Sequence, residues 1–260
     1  MKSLKVLACA ACLVGTISGV GFAKDVQTIA GSMVVPNNVT VVSASKTNTR
    51  DFVEKQLNEA PTKSSMANMM AKEFFQNFGT TFDVYQLQGA DKTGQKDAFV
   101  VAVDVKQIAQ QVAKDKASDP MFVAAMAALD KGQIDPVTEQ LMLGAINKQI
   151  PTTTTATVVP LNDPKRYANL KTRSGELLIK PRTLTVENAE QVHPVAGTKY
   201  QTYAASSRLL YADGNVQTPL YANAAFVLKP GKPVLYVGVT TDVQRDYFKT
   251  IFDNAFKSIK

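Results

Sequence analysis

The stretch VLYVGVTTDVQRDYF, residues 234–248, runs directly into KTIFDNAFKSIK, residues 249–260, and together they decide the fold. An apolar strand passes through Thr-Thr-Asp into a segment whose apolar residues recur every four positions: Val243, Tyr247, Ile251, Ala255 and Ile259, with Phe248, Phe252 and Phe256 beside them. Charged residues occupy the opposite side of that segment. The pattern predicts an amphipathic helix packed on a sheet. Each buried aromatic or isoleucine there would contribute about 1.5–3 kcal/mol.

The start of this helix is the first candidate binding site. Free backbone N–H groups at a helix N-terminus can hold an anion, and Thr240 and Thr241 stand at that point. Asp242 would repel an anion, and its carboxylate suits the positive end of the helix dipole. Thr241 and Gln244 also match a capping box. A scaffold role is therefore favoured, and Thr240 and Thr241 stay as candidate binding residues.

The first 23 residues have the pattern of a secretory signal peptide. Lys2 and Lys5 precede an apolar run, and the small residues Gly21 and Ala23 suit a cleavage site after Ala23. Export to the periplasm, the cell surface or the medium is the expectation. Lipid modification at Cys12 is the alternative, although the short apolar run before it favours ordinary cleavage.

Residues 24–260 are expected to form a single α+β domain without a transmembrane helix. They contain no cysteine, which excludes a disulfide, a thiol nucleophile and a thiolate metal site. The whole chain has a formal net charge of +7, and without Lys2 and Lys5 it has 27 basic and 22 acidic residues. These charges are interspersed, which predicts a solvated basic surface or a weak attraction to an anionic envelope surface. Nucleic acid is an unlikely partner without a basic cluster, and another envelope protein is an alternative partner.

Turn and cap signals divide this domain into strands and helices. A mobile lead-in over 24–31 precedes two short strands around Pro36, and two helices follow over 48–60 and 64–79. Gly94 predicts the turn of a first hairpin, whose return strand enters a helix. Pro151 begins a strand-rich second half, in which Asp213-Gly214 and Pro230-Gly231 mark hairpin turns.

A helical hairpin is predicted over residues 119–150. Asp119-Pro120 and Asp135-Pro136 each place an N-capping carboxylate before a first-turn proline. The first arm is apolar nearly all round, so it must be buried or cover an apolar surface. Three of its residues are candidates for contact with a lipid or a partner: Met121, Phe122 and Met126. Ordinary core packing is the commoner explanation for such residues.

The early strand pair around Pro36 and the closing strand and helix resemble the PsbP-like α/β/α sandwich family. The resemblance covers residues 32–43 and 220–260, and Phe248, Ile251 and Ser258-Ile259 correspond to the family's closing helix. It implies a largely antiparallel sheet covered by helices, here with the inserted helical hairpin. It also implies a non-enzymatic accessory or binding role, and the family has no shared catalytic residues to transfer.

No catalytic constellation emerges from the sequence. Ser43-x-x-Lys46, Lys92-Thr93-Gly94 and Tyr221-x-Asn223 match the short motifs of serine penicillin-recognising enzymes, but their order and predicted contexts are wrong. His193 is the single histidine, no cysteine accompanies it in the mature chain, and no phosphate-binding glycine loop is present. The sequence therefore predicts no cofactor and no metal. An exported binding or accessory protein is favoured, with a cell-envelope hydrolase that uses His193 as the alternative.

Overall fold

The computed structural model describes residues 23–29, 31–43, 82–112, 120–150, 153–158, 182–213 and 216–260. Their strands are β1 Ala23–Thr28, β2 Gly31–Pro36, β3 Thr40–Ser43, β4 Phe82–Asp91, β5 Gly94–Asp104, β6 Thr153–Val158, β7 Arg182–Glu187, β8 His193–Pro194, β9 Thr202–Asp213, β10 Val216–Val227 and β11 Val234–Thr241. Their helices are α1 Val105–Val112, α2 Pro120–Lys131, α3 Pro136–Gln149 and α4 Arg245–Lys257, the last preceded by a 3-10 turn at Asp242–Gln244.

The main sheet is antiparallel throughout and has the order β3-β4-β5-β11-β10-β9-β7-β6, with the short β8 also paired to β9. β1 and β2 form a separate hairpin. Gly94 and Gly231 have φ angles of 118° and 71°, values that favour glycine, in the turns that precede β5 and β11. The α+β class and the antiparallel sheet are confirmed.

α4 lies between the main sheet and the β1–β2 hairpin, and hydrophobic core residues pack on both sides of the helix. Phe248, Phe252 and Phe256 are buried and stack along the helix, while Met33 and Val35 of β2 close the cluster from the other side. The Ser258 hydroxyl accepts a hydrogen bond of 2.6 Å from the Val34 N–H, which ties the helix end to β2. The predicted helix on a sheet is confirmed from Arg245 onward, but Val243, the first residue of the predicted apolar row, lies in the 3-10 turn and is exposed.

Two predictions for the segments that adjoin α4 are wrong. Residues 24–31 were expected as a mobile lead-in, yet β1 begins at Ala23 and pairs with β2 along its whole length. Thr241 makes no capping hydrogen bond. Instead, Gln244 turns toward the sheet, and its Oε1 accepts from the Asp97 N–H at 2.9 Å. The Gln244 side chain therefore bonds to the backbone of β5 instead of capping the helix.

α2 and α3, joined by a short turn, occupy the region of the predicted helical hairpin. Asp135 caps α3 by accepting from the N–H groups of Val137 and Thr138 at 3.1 and 3.0 Å. Hydrogen bonds from Thr138 keep the pKa of this carboxyl below its usual value. The turn between the helices packs on the β10–β11 turn, where the Gly231 N–H donates to the Asp130 carbonyl at 2.9 Å.

The expected burial of the first arm is not met where its side chains are described, because Val123 is 52% exposed. Polar contacts at the ends of the hairpin hold it in place. The Ile134 N–H donates to Gln201 at 2.7 Å, and Asn147 exchanges two hydrogen bonds with the backbone of Val192.

Several predictions fall outside the described residues. They are residues 1–22 of the predicted 23-residue signal peptide, including Cys12, the helices over 48–60 and 64–79, the N-cap at Asp119 and the tip of the Asp213-Gly214 turn. They stay predictions.

Two buried tyrosines predict that the protein loses stability at alkaline pH. Burial raises the pKa of Tyr236 to about 12, and burial with the nearby Asp83 raises the pKa of Tyr85 still further. Between pH 10 and 12 the folded chain keeps phenol protons that the unfolded chain loses. The free energy of unfolding should therefore fall above pH 10 by about 1.4 kcal/mol per pH unit for each such phenol. Urea titrations of Tyr236→Phe should give a shallower slope, whereas Tyr200→Phe should keep it.

Candidate binding groove

A bulge in the sheet edge creates the main groove. β7 and β8 both pair with β9, at Glu187 opposite Arg208 and at His193 opposite Ala204. Residues 188–192 therefore stand opposite only residues 205–207, so the chain must loop out. Asn188 has a φ of 50°, a left-handed conformation that asparagine tolerates better than most residues. Bulges of this kind often lie beside functional sites, where they redirect side chains.

The groove has a volume of about 360 Å³ and lies between this bulge, the sheet and α4. Small residues of β9 and β10 make its floor, among them Ala204, Ser206 and Ala225. Because these side chains are short, the floor is flat and open space remains above it. Lys249 and Asp253 of α4 form one wall, and Glu190 and His193 of the bulge region form the other.

The bulge leaves a second hollow on the opposite face of the sheet. It has a volume of about 290 Å³, shares Glu190 and Ser206 with the groove, and is lined mainly by apolar side chains such as Val186 and Ala222. Few polar groups converge there, so the groove is the better candidate for specific recognition.

Asn223 is a deeply buried polar side chain of the groove, with an exposed fraction of 3%. Its Nδ2 donates to Asp253 Oδ1 at 2.7 Å. Because a carboxylate only accepts, this contact fixes the amide with its nitrogen toward Asp253. The same Nδ2 lies 3.5 Å from the Tyr221 hydroxyl, so the amide is oriented before any ligand binds.

Lys249 and Lys257 of α4 supply the positive charges of the groove. The Lys249 Nζ lies 4.0 Å from Asp253 Oδ2. Burial alone lowers the pKa of Lys249, but Tyr221, Asp253 and Glu190 outweigh it and the pKa is raised. The ammonium is therefore charged at neutral pH and stands beside two carboxylates and a buried amide. A site with both donors and acceptors results.

His193, Ser206 and two carboxylates line the same groove, which is the convergence that a hydrolase would need. Their geometry is not that of a triad. The exposed His193 ring has its Nδ1 3.1 Å from the Gln191 carbonyl, not from a carboxylate. Ser206 is buried on the floor. No hydrogen bond joins His193 to Ser206, so no activated nucleophile is formed here.

The binding residues predicted from the sequence lie elsewhere. Thr240 is buried, and its hydroxyl donates to the Asp97 carbonyl at 2.8 Å. Thr241 Oγ1 is buried and has no hydrogen-bond partner. Met126 is half-buried on α2, while the side chains of Met121 and Phe122 lie outside the described residues. Thr240, Thr241 and Met126 do not line the groove, and the roles of all five residues stay predictions.

Sequence reasoning missed the groove because its parts are far apart in the chain. Lys249 and Asp253 were placed on the solvent side of the last helix, which is correct but hides their contact with Asn223. One signal was available. Tyr221 and Asn223 share a strand face, where a buried asparagine needs a polar partner.

Within the described residues, no group of three or more histidine, cysteine or acidic side chains is placed to hold a metal ion. The same part of the chain contains no helix with the length and apolar character needed to cross a bilayer. No family model matches the chain, and no curated protein matches it at a significant level.

Proposed function

We propose that this chain is an exported binding protein that holds a small polar ligand in the groove and does no chemistry on it. The observation that carries the proposal is the Asn223 amide. It is buried on the floor of the groove and oriented by its hydrogen bond to Asp253, and the Lys249 ammonium lies beside the same carboxylate. An oriented polar group at the base of a groove lined by charged side chains is what a specific ligand site needs. The signal peptide pattern and the PsbP-like resemblance support the exported and non-catalytic parts.

The side chains that line the groove indicate the chemical class of the ligand. Lys249 donates to an acceptor, Glu190 and the Asn223 oxygen accept from donors, and the flat floor takes a small apolar or ring surface. The volume fits a molecule of the size of a dipeptide or a monosaccharide, at the lower end of ordinary ligand sites. The balanced charges favour a neutral or zwitterionic solute.

Thermal unfolding with a panel of amino acids, dipeptides, monosaccharides and disaccharides tests the proposal. One class should raise the melting temperature of the wild-type chain, because a ligand at a hundred times its Kd adds about 2.7 kcal/mol. Lys249→Met should raise the Kd of that ligand by roughly tenfold or more, as expected for the loss of a charged hydrogen bond. Asn223→Leu should raise it similarly.

The matched control is Lys92→Met, which removes an exposed lysine from the β4–β5 turn, away from the groove. It should leave the Kd unchanged. If no class in the panel stabilises the chain, or if both groove variants bind as well as the wild type, the proposed site is wrong.

The hydrolase that uses His193 is the second candidate, because His193 and Ser206 line one groove. His193→Ala separates the two. If the protein only binds its ligand, the wild type hydrolyses no ester, amide or glycoside, and His193→Ala can change nothing but the ligand Kd. Loss of a measurable ester, amide or glycoside hydrolysis in this variant would instead establish catalysis.

A further inference from the structure

Lysines from four chain segments meet at the end of the molecule opposite the β4–β5 turn. We call this surface the basic pole, and its members are Lys131, Lys199, Lys229, Lys232 and Lys260. Lys131 ends α2, Lys229 and Lys232 belong to the β10–β11 turn, Lys199 precedes β9, and Lys260 follows α4. The sequence shows no basic cluster because the fold assembles this one.

Direct contacts hold the pole together. The Gly231 N–H donates to the Asp130 carbonyl at 2.9 Å, which places Lys232 beside Lys131. The ammonium groups of Lys199 and Lys229 lie 5.3 and 5.6 Å from the ring centre of Tyr200. Lys260 reaches the same place, because its N–H donates to the Ser32 carbonyl and its own carbonyl lies against Gly31, next to the Lys229 ammonium.

The acidic residues described at this end do not neutralise it. Asp130 is paired with Lys106 at 2.5 Å, and Asp104 is buried and accepts from the Gln107 N–H at the start of α1. Asp135 and Glu139 lie at the start of α3, where Asp135 accepts from the N–H groups of Val137 and Thr138. Lys131, Lys199, Lys232 and Lys260 alone outnumber Asp104, Asp135 and Glu139, so a small excess of positive charge is left. The pole contains no arginine, the residue that binds single phosphate groups in fixed bidentate geometry. Flexible point charges suit a surface of many anions better than one anion.

A strip of exposed apolar residues next to the pole favours a lipid surface over a hydrophilic anionic polymer. Val137 and Leu141 lie four residues apart on α3, just after the hairpin turn, and are 68% and 71% exposed. A hydrophilic polymer would not remove these exposed apolar side chains from water. At a lipid surface they can enter the headgroup region while the lysines meet the phosphates.

We infer that the basic pole, with Val137 and Leu141, docks this protein on an anionic lipid surface. The binding is peripheral. None of the five lysines of the pole lines the groove.

Sedimentation of the full chain with vesicles tests this inference. Vesicles of phosphatidylglycerol and phosphatidylcholine should bind the chain at low salt and release it at high salt, and phosphatidylcholine alone should bind it weakly. Lys131→Gln/Lys199→Gln/Lys232→Gln should weaken anionic vesicle binding by roughly 100-fold, at about fivefold per lysine. Val137→Gln/Leu141→Gln should also weaken it, without changing its salt dependence.

The control variant is Lys24→Gln/Lys92→Gln/Lys148→Gln, which changes the net charge equally but leaves the pole intact, and it should bind as the wild type does. Circular dichroism verifies that each variant is folded. Equal loss in both triple variants would mean that net charge alone acts, and would overturn the inference. Tight binding to a soluble polyanion such as polyglutamate with none to vesicles would overturn it too. The experiment does not involve the groove, so it succeeds or fails independently of the proposed function.

Discussion

Phe252→Ala is expected to lower the free energy of unfolding by about 3–5 kcal/mol, the usual cost of removing a buried aromatic side chain. Phe252 is fully buried. Its ring stacks between Phe248 and Phe256, with ring centres 5.7 and 6.0 Å apart. The rings on both sides are held by the sheet and by β2, so the cavity cannot close. Urea denaturation should show a lower midpoint with an unchanged slope.

Gly238 explains why the ring of Phe252 can lie so close to the sheet. A Cβ built at Gly238 would stand 2.7 Å from two carbon atoms of that ring. Glycine in a central strand often marks such a close approach. Gly238→Ala should therefore cost about 1–3 kcal/mol by overpacking.

A double-mutant cycle tests that the two residues act through one contact. In a Phe252→Leu background the alanine meets a smaller side chain, so Gly238→Ala should cost clearly less than in the wild type. Val243→Ala, at a residue 87% exposed on the turn before α4, is the control and should stay within about 0.5 kcal/mol. Equal costs for Gly238→Ala in both backgrounds would contradict the packing account.

The closing strand and helix could be predicted because their signals are local. A row of residues at four-residue spacing, three phenylalanines and the Gly231 turn each point to the same structure, and the structure has it. The Asp135 cap follows from chemistry within four residues. Such predictions succeed when one segment contains both partners of a contact.

The predictions that failed concern partners far apart in the chain. Thr241 and Gln244 fit a local cap, yet Gln244 finds the Asp97 N–H on β5. β1 has a weak strand signal and forms because β2 lies next to it. The groove likewise joins Glu190, Asn223 and Asp253 from three segments, and the basic pole joins four. Composition alone could not place these side chains together.

The second large effect is expected at Gly132, which ends α2. Its φ is 66°, and its N–H donates to the carbonyls of Ala128 and Leu129 at 3.2 Å in each case. Gly132→Ala forces a left-handed alanine, which costs about 1–2 kcal/mol. The new Cβ would also stand 2.6 Å from the Pro230 nitrogen and 2.8 Å from the Leu228 carbonyl oxygen. Backbone atoms cannot rotate away, so we expect a total loss of about 2–4 kcal/mol.

Gly144→Ala is the matched control in the same hairpin. Gly144 lies inside α3 with no atom within 4 Å of a built Cβ, so alanine should stabilise the chain by about 0.5–1 kcal/mol. Gly132→Asn separates the two causes at the turn, because asparagine tolerates the left-handed backbone but keeps the Cβ. If Gly132→Asn is nearly as damaging as Gly132→Ala, close packing on the β10–β11 turn dominates. A neutral result for both Gly132 variants would mean that the hairpin does not pack on that turn, and the basic pole, which needs Lys131 beside Lys232, would lose its structural basis.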